Sequence, residues 1–419
     1  MKVGFLGLGK LGLPVALAIE SKGHYVCGTD ISKKTIDNIH DKKIEYKEIW
    51  VDEYLKSSKL KIFDIDGVIK NSDIIFVPIQ TPHEEKYEGI TRIPKDRADF
   101  NYQFLIDGMK NLSDAIDKIG EDKIVIIIST VLPGTIRSKI KPILSDKIKL
   151  CYNPFFIAMG STMKDFLHPE FVLFGVDDLE AYKVCKGFYK SITSAPLYDT
   201  TIENAELIKV AYNTMISTKI AFSNTLMELC HKLPNTNVDD VTNALKLANR
   251  RLISGYYMEG GMGDGGGCHP RDNIAMSYLS NQLNISHNWF EHIMKQRENQ
   301  TEWLADLIIE NSKNLKINIL GKSFKAESNL TLGSPSILLK NILEEKNINV
   351  KIWDPIVDKK FEFYKKEYQW DTEPQLFFIG TRHDEFTKFP FYPGSVVIDP
   401  WRYLSVNENI KLIRVGDNK

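Results

Sequence analysis

Between Lys2 and Thr130, four short runs (KVGFLGLG, HYVCGTD, DIIFVPI and KIVIIIST) are apolar at successive positions and not at alternate ones. A strand of that kind has no face to offer water. It must be covered on both sides, which is the situation of a parallel sheet flanked by helices. Helical stretches separate the runs, such as LPVALAIESKG, which closes on Gly23. KLCYNP and FVLFGV read as further strands. The alternation predicts a doubly wound α/β domain over residues 1–200.

From Thr201 the texture changes. ENAELIKVAYNTMISTKIAFSNTLMELCHKL carries no Gly or Pro and repeats its apolar residues at helical spacing. A helix of that length spans about 45 Å at 1.5 Å per residue, enough to form a spine between domains. More helical sequence follows in NIAMSYLSNQLN and NWFEHIMKQRENQTEWLADLIIENS, giving a central helical region over 201–298. The α/β rhythm then restarts over 299–419, in KINILGKSF, SPSILLKNILEEKN, NVKIWDP, PQLFFIGT and SVVIDPW. The expected architecture is two Rossmann-like domains joined by a long helix, the helical region also forming a homodimer.

The formal net charge of −1 provides no global field for nucleic acid or an anionic membrane. No uninterrupted apolar stretch has the length of a membrane span, and the N-terminal run, broken by Lys10 and Pro14, lacks a signal-peptide cleavage site. Five scattered cysteines, odd in number and without metal-ligand spacing, suggest free thiols in a reducing compartment and no metal. These features predict a cytoplasmic protein whose ligand is a small molecule.

GLGKLG places Gly7, Gly9 and Gly12 in the G-x-G-x-x-G spacing, after a strand and before a helix. The first glycine makes a tight turn, the second lets backbone approach a pyrophosphate, and the third packs helix on strand. Lys10 and Leu11 fill the loop. Asp30 ends the second strand eighteen residues after Gly12, where a carboxylate binds ribose hydroxyls and repels a 2′-phosphate. The expected cofactor is NAD.

A second glycine cluster is denser. GGMGDGGGCHPRD has six glycines in the eight positions from Gly260 to Gly267, then Cys268. GMGDGGGCHPRD resembles the G-x-G-x-G-G-x-C-x-P-K-D signature of the UDP-glucose/GDP-mannose dehydrogenases. AELIKVAYN, QTPHE, STVLPGT, LGKSFKAESN, WDP, GTRHDEF and DPWR are similar to other landmarks of that family, in order along most of the chain.

The resemblance implies an NAD-dependent oxidation of the 6-hydroxymethyl group of a nucleotide sugar to a carboxylate, giving a uronic acid of the kind used in polysaccharide biosynthesis. Cys268 is then the nucleophile that holds the aldehyde as a thiohemiacetal and, after a second oxidation, as a thioester. The glycines before it would let sugar and diphosphate lie against backbone. Asp272, four residues on, would share its helical face and assist water or the lysine. Lys209 and Asn213, also four apart, would stabilise the developing alkoxide and oxyanion. Thr130, at a strand end, would position water and border the cofactor, with Thr81 and Pro82 of the T-P turn. Phe155, Phe156, Tyr257, Gly263 and Gly267 join Lys209 and Asn213 on the substrate side. Phe324 and Lys325 would take the base and the sugar or phosphate, and Arg402 a phosphate.

Two departures mark the chain. PFFIAMG stands where the family has P-E-F-L-R-E-G, so Phe155 and Met159 replace glutamates; Leu330 and Leu332 replace an acid and an arginine. An apolar wall there suggests a modified hexose packed on Phe155 and Met159, or a slow thioester hydrolysis. Two other readings compete: a two-electron dehydrogenase of the 3-hydroxyacid or 6-phosphogluconate type, and a catalytically silent protein binding NAD and a nucleotide sugar. Cys268 in its glycine loop weighs against the first. Intact Lys209, Asn213 and Asp272 weigh against the second.

Overall fold

A computed structural model describes the chain except for residues 93, 251–256, 283, 285–287, 359–369, 371 and 418–419, and the side chains at 225 and 229. The described residues form two compact units. The first comprises Met1–Pro82 and Phe100–Ala211, the second His83–Asp99 and Tyr212–Lys419.

The first unit is built on an eight-stranded sheet: β1 (Lys2–Leu6), β2 (Tyr25–Thr29), β3 (Lys61–Ile62), β4 (Ile74–Val77), β5 (Lys123–Ile127), β6 (Ile148–Tyr152), β7 (Val172–Val176) and β8 (Leu197–Thr201). The order is β3-β2-β1-β4-β5-β6-β7-β8, Rossmann order over its first six strands. Every neighbouring pair is parallel except β6 and β7. The apolar runs are the central strands; β4 is buried at all four positions and packs Phe76 onto Phe5 in the core. β3 and β8 lie at the sheet edges. KI and LYDTT carry no apolar run, so nothing in composition announces them.

In the second unit a five-stranded parallel sheet comprises β9 (Ile317–Leu320), β10 (Val350–Trp353), β11 (Leu376–Ile379), β12 (Val396–Asp399) and β13 (Lys411–Arg414). Its order, β10-β9-β11-β12-β13, is the shorter doubly wound pattern, reversing direction between β9 and β11. Leu338, Leu339, Ile342 and Leu343 of the helix Pro335–Glu345 and Leu304 and Ile308 of the helix Trp289–Ser312 share one core with this sheet. The long helix runs Ile202–Lys232, within one residue of expectation at each end, and the cysteine helix runs His269–Gln282.

The segment His83–Asp99 is a strap within the second unit. Tyr87 packs with Ile274 and Met294. Arg97 donates from two nitrogens to Glu291, at 2.9 and 2.6 Å, and Arg92 pairs with Glu345 at 2.7 Å. Gly89 adopts a positive φ, and a Cβ there would lie 2.8 Å from Pro270.

Candidate active site

The glycine loop of the first unit assigns each glycine a separate task. Gly7 has φ +118° and donates from its N–H to the Thr29 carbonyl, tying the turn to β2. A Cβ on Gly12 would lie 2.2 Å from the Gly7 carbonyl oxygen, so the helix Gly12–Ser21 can approach the strand only at a glycine. A Cβ on Gly9 would meet nothing within 4 Å. That open backbone lies at a helix start where no side chain caps the free N–H groups, the arrangement a pyrophosphate fits. Lys10 is exposed and Leu11 half-buried. Asp30 accepts from the backbone N–H groups of Leu8 (2.7 Å) and Ser32 (2.8 Å), and a carboxylate has lone pairs left for ribose hydroxyls. The residues present fit NAD.

Two turns follow β4 and β5 at the same carboxyl edge of the sheet from which this loop leaves β1. Thr81 Oγ1 donates to the Thr130 carbonyl at 2.7 Å, joining the two residues expected beside the cofactor. The Pro82 carbonyl accepts from the Asn101 N–H. The turn after Thr130 is gripped by Glu206, a fully buried residue of AELIK to which the sequence attaches no expected role. Its carboxylate accepts from the N–H groups of Gly134 (2.5 Å) and Ile136 (2.8 Å). Burial raises its pKa to about 7, against the lowering effect of those two donors.

Lys209 donates from Nζ to the Phe155 carbonyl at 2.8 Å and lies 5.3 Å from the Phe156 ring centroid. This corrects the expectation for Phe155. Its ring is buried in the core against Phe76 and Phe166, so only its carbonyl reaches Lys209; the aromatic face beside the ammonium is Phe156. Phe156 also borders a shallow, largely apolar pocket, with Ile157, Pro169 and Phe171 among its walls. Met159 is half-buried. The segment after it is held by Glu48, which accepts from the N–H groups of Gly160 (2.8 Å) and Thr162 (2.5 Å).

In the second unit, Cys268 immediately precedes the cysteine helix and is half-buried, while the other four cysteines are buried. The Asp272 N–H donates to the Cys268 carbonyl at 2.8 Å, which places the two residues one helical turn apart, as expected. Asn213 Nδ2 donates to Asp272 Oδ2 at 2.6 Å and Arg271 Nε to its Oδ1 at 3.2 Å, satisfying a carboxylate with no exposure to solvent.

The glycines before Cys268 are explained differently from expectation: the protein itself approaches them. A Cβ on Gly261 would lie 2.2 Å from the Trp401 ring, on Gly263 3.3 Å from Arg297, and on Gly267 2.9 Å from Leu332. One on Gly265 or Gly266 would press on Phe324. Asp264, within the loop, pairs with Arg297 at 2.8 Å and accepts from Ser217 Oγ at 2.7 Å, both carboxylate and guanidinium being buried. Arg297 also donates to the carbonyls of Gly89 and Gly333, each at 3.0 Å. Nothing in the sequence pairs Arg297 with Asp264, because thirty-three residues separate them.

Phe324 and Lys325 sit together, Nζ 5.6 Å from the ring centroid. Tyr257 is exposed with φ +62°. Arg402 stands elsewhere. Its guanidinium makes a two-pronged pair with Asp239 (2.7 and 2.8 Å) and donates to the carbonyls of Gly260 and Val415, so it braces the glycine loop and not a phosphate. Among the described residues no helix is long and apolar enough to cross a membrane, and no His, Cys, Asp and Glu group is arranged to hold a metal.

A Rossmann-order sheet with an open-backed glycine loop, in a chain with a second doubly wound sheet and a half-buried thiol at a helix start, defines a dinucleotide-dependent oxidoreductase. Comparison with known proteins specifies the class. Residues 1–193 match the NAD-binding domain, and residues 203–299 the central domain, of the UDP-glucose/GDP-mannose dehydrogenase family. The UDP-glucose 6-dehydrogenase of Rickettsia conorii is 30% identical over 371 residues, covering 85% of this chain and 81% of that one. The GDP-mannose 6-dehydrogenase of Pseudomonas aeruginosa is 26% identical over 371 residues, covering 85% and 82%. A UDP-glucose dehydrogenase structure from Pyrobaculum islandicum superposes with a TM-score of 0.86 at 22% identity, over 99% of this chain and 97% of that one, and shares the fold. The chain belongs to the UDP-glucose/GDP-mannose dehydrogenase family and is an NAD-dependent oxidoreductase.

Proposed function

We propose that the protein oxidises the C6 hydroxymethyl group of a nucleotide-activated hexose to the carboxylate, with Cys268 as covalent nucleophile. The observation that carries this reading is the half-buried Cys268 at the start of its helix, with the Asp272–Asn213 pair one turn on. When bound, NAD supplies the hydride acceptor for two successive oxidations. Between them the Cys268 thiolate adds to the C6 aldehyde, and the carbonyl oxygen takes a proton. Loss of hydride from C6 and of the hydroxyl proton leaves a thioester. Water then attacks, the C–S bond breaks and the thiol returns, so two hydrides leave the substrate and one water enters. Lys209 and Asn213 are assigned the developing negative oxygen, Thr130 and Asp272 the water.

On the substrate side, Phe324 and Lys325 are assigned the nucleotide. Phe156, in place of the Phe155 ring, is assigned the apolar contact for the sugar; the replacement of the family's two glutamates by Phe155 and Met159 favours a modified hexose over plain glucose. About half-exposed Met215 and Phe222, seven residues apart on the long helix, and Trp289 support a homodimer. Cysteines without disulfide partners suit a cytoplasmic setting.

The test is a screen of UDP-, GDP-, CDP- and dTDP-hexoses, plain and modified, for NADH, with product masses. One of them should yield two NADH per acid, and Cys268→Ser should bind both ligands yet form no acid. Acid formation by that variant at the normal rate would remove the thioester from the mechanism.

A further inference from the structure

The landmarks WDP and GTRHDEF have no part in the chemistry above, yet the fold brings them to one point. Asp354 follows β10, Ser323 follows β9 and His383 follows β11, and these three strands are adjacent and parallel. The point therefore lies at the carboxyl edge of the second sheet, beside the reversal between β9 and β11 where doubly wound sheets take their ligands.

Asp354 Oδ2 accepts from the N–H groups of Lys322 and Ser323 (both 2.8 Å), from Ser323 Oγ (2.9 Å) and from His383 Nε2 (3.0 Å). Its Oδ1 accepts from the N–H groups of Ile356 (2.9 Å) and Val357 (3.0 Å). Six donors thus converge on one carboxylate with no solvent exposure. Burial opposes its charge, but the bonds from His383 and the backbone hold its carboxyl well below the usual range.

A Ser, a His and an Asp within hydrogen-bond reach suggest a hydrolytic triad, and the geometry excludes one. His383 Nε2 contacts both Ser323 Oγ (3.1 Å) and the carboxylate, whereas Nδ1 has no partner among the described residues; a triad imidazole bridges through opposite nitrogens. Since Ser323 Oγ donates to Asp354, it accepts from His383, which fixes the proton on Nε2. His383 and Asp354 are fully buried and Ser323 very nearly so. The group is a brace.

The braced element is the backbone of 322–323. The N–H groups of Lys322 and Ser323 are fixed by Asp354, and the Ser323 carbonyl by Thr381 Oγ1 at 2.6 Å. The next two residues are Phe324 and Lys325. Tyr403 donates to the His383 carbonyl at 2.8 Å and steadies the far side.

We infer that Asp354, His383 and Ser323 are positioning residues for nucleoside diphosphate binding, holding Phe324 and Lys325 in place at the carboxyl edge of the second sheet. This rests on the assignment of Phe324 and Lys325 to the nucleotide. Preorganisation of that kind appears as affinity for the nucleotide and leaves the cofactor's loop alone.

The experiment is calorimetric titration of the full-length protein with UDP, GDP, CDP and dTDP, and separately with NAD. For the nucleotide that binds the wild type best, His383→Ala should raise Kd about tenfold and Ser323→Ala about threefold. His383→Gln, whose amide can still donate to Asp354, should restore binding to within about threefold of wild type. NAD affinity should stay within about twofold throughout, because the cofactor loop shares no partner with these residues. Unchanged nucleotide affinity in folded His383→Ala, or in Ser323→Ala should the former not fold, overturns the inference alone. Parallel loss of NAD and nucleotide affinity also overturns it, as general damage. A wild-type protein that binds NAD but none of the four nucleotides overturns the inference and the assignment of Phe324 and Lys325 together.

Discussion

The two glycine-rich loops look alike in the sequence and do opposite work. In GLGKLG the glycine at the centre, Gly9, has empty space where a side chain would be. In GGMGDGGGC the corresponding spaces are filled by Trp401, Met227, Arg297, Phe324 and Leu332. One loop keeps its backbone bare for a ligand, and the other does so for its own protein. A glycine cluster therefore signals close approach without naming what approaches.

The largest effect should come from breaking the packing of the second loop. Arg297→Met leaves Asp264 buried and unpaired, which should cost about 3–5 kcal/mol in urea unfolding. Adding Asp264→Leu should return a large part of that loss, because an apolar pair replaces a lone buried charge. Equal stability of the single and double variants would mean that the ion pair does not hold the loop.

Next come the glycines that face protein in either loop. Gly12→Ala drives a Cβ into the Gly7 carbonyl and should cost about 2–3 kcal/mol and abolish measurable NAD binding. Gly266→Ala, at φ +81° against Phe324, should cost about 1–2 kcal/mol while NAD affinity survives. Loss of NAD affinity in Gly266→Ala as well would erase the division of labour.

Gly9→Ala inverts that pattern. With no neighbour to clash with, its unfolding should match wild type within about 0.5 kcal/mol. Its NAD dissociation constant, read by titration, should rise about tenfold, or about 1.4 kcal/mol, as the methyl occupies the pyrophosphate's approach.

A separate effect is a pH slope confined to the unit that carries the cofactor loop. Glu206 titrates near 7 when folded and near 4.5 when unfolded, so the folded state binds more protons between those values. Its contribution is most favourable below pH 4.5 and declines as pH rises to about 7. Relative to Glu206→Ala, wild type should lose stability across that window. Parallel pH profiles of the two proteins would show that the carboxyl is not perturbed.

Much of this was legible in advance. Apolar runs marked the central strands, and helical spacing located the long helix to within a residue, because burial on both faces or on one leaves a local periodicity. The edge strands β3 and β8 left none. Cys268, Asp272 and Asn213 were picked out by their motifs, and the structure does bring them together. Arg402 and the Phe155 ring were picked out too and serve as a brace and as core, since a motif position does not say which way a side chain turns.

By itself, then, the sequence determined two doubly wound sheets, a dinucleotide loop, a long helix and a cysteine one turn before an aspartate. All of these rest on residues close together in the chain, where spacing alone sets geometry. Only the tertiary structure decided that the second glycine run is filled by Trp401 and Phe324, that Arg297 answers Asp264, and that Asp354, His383 and Ser323 meet at one sheet edge. Those partners lie tens to more than a hundred residues apart, and no local pattern records which distant side chain will satisfy a buried charge.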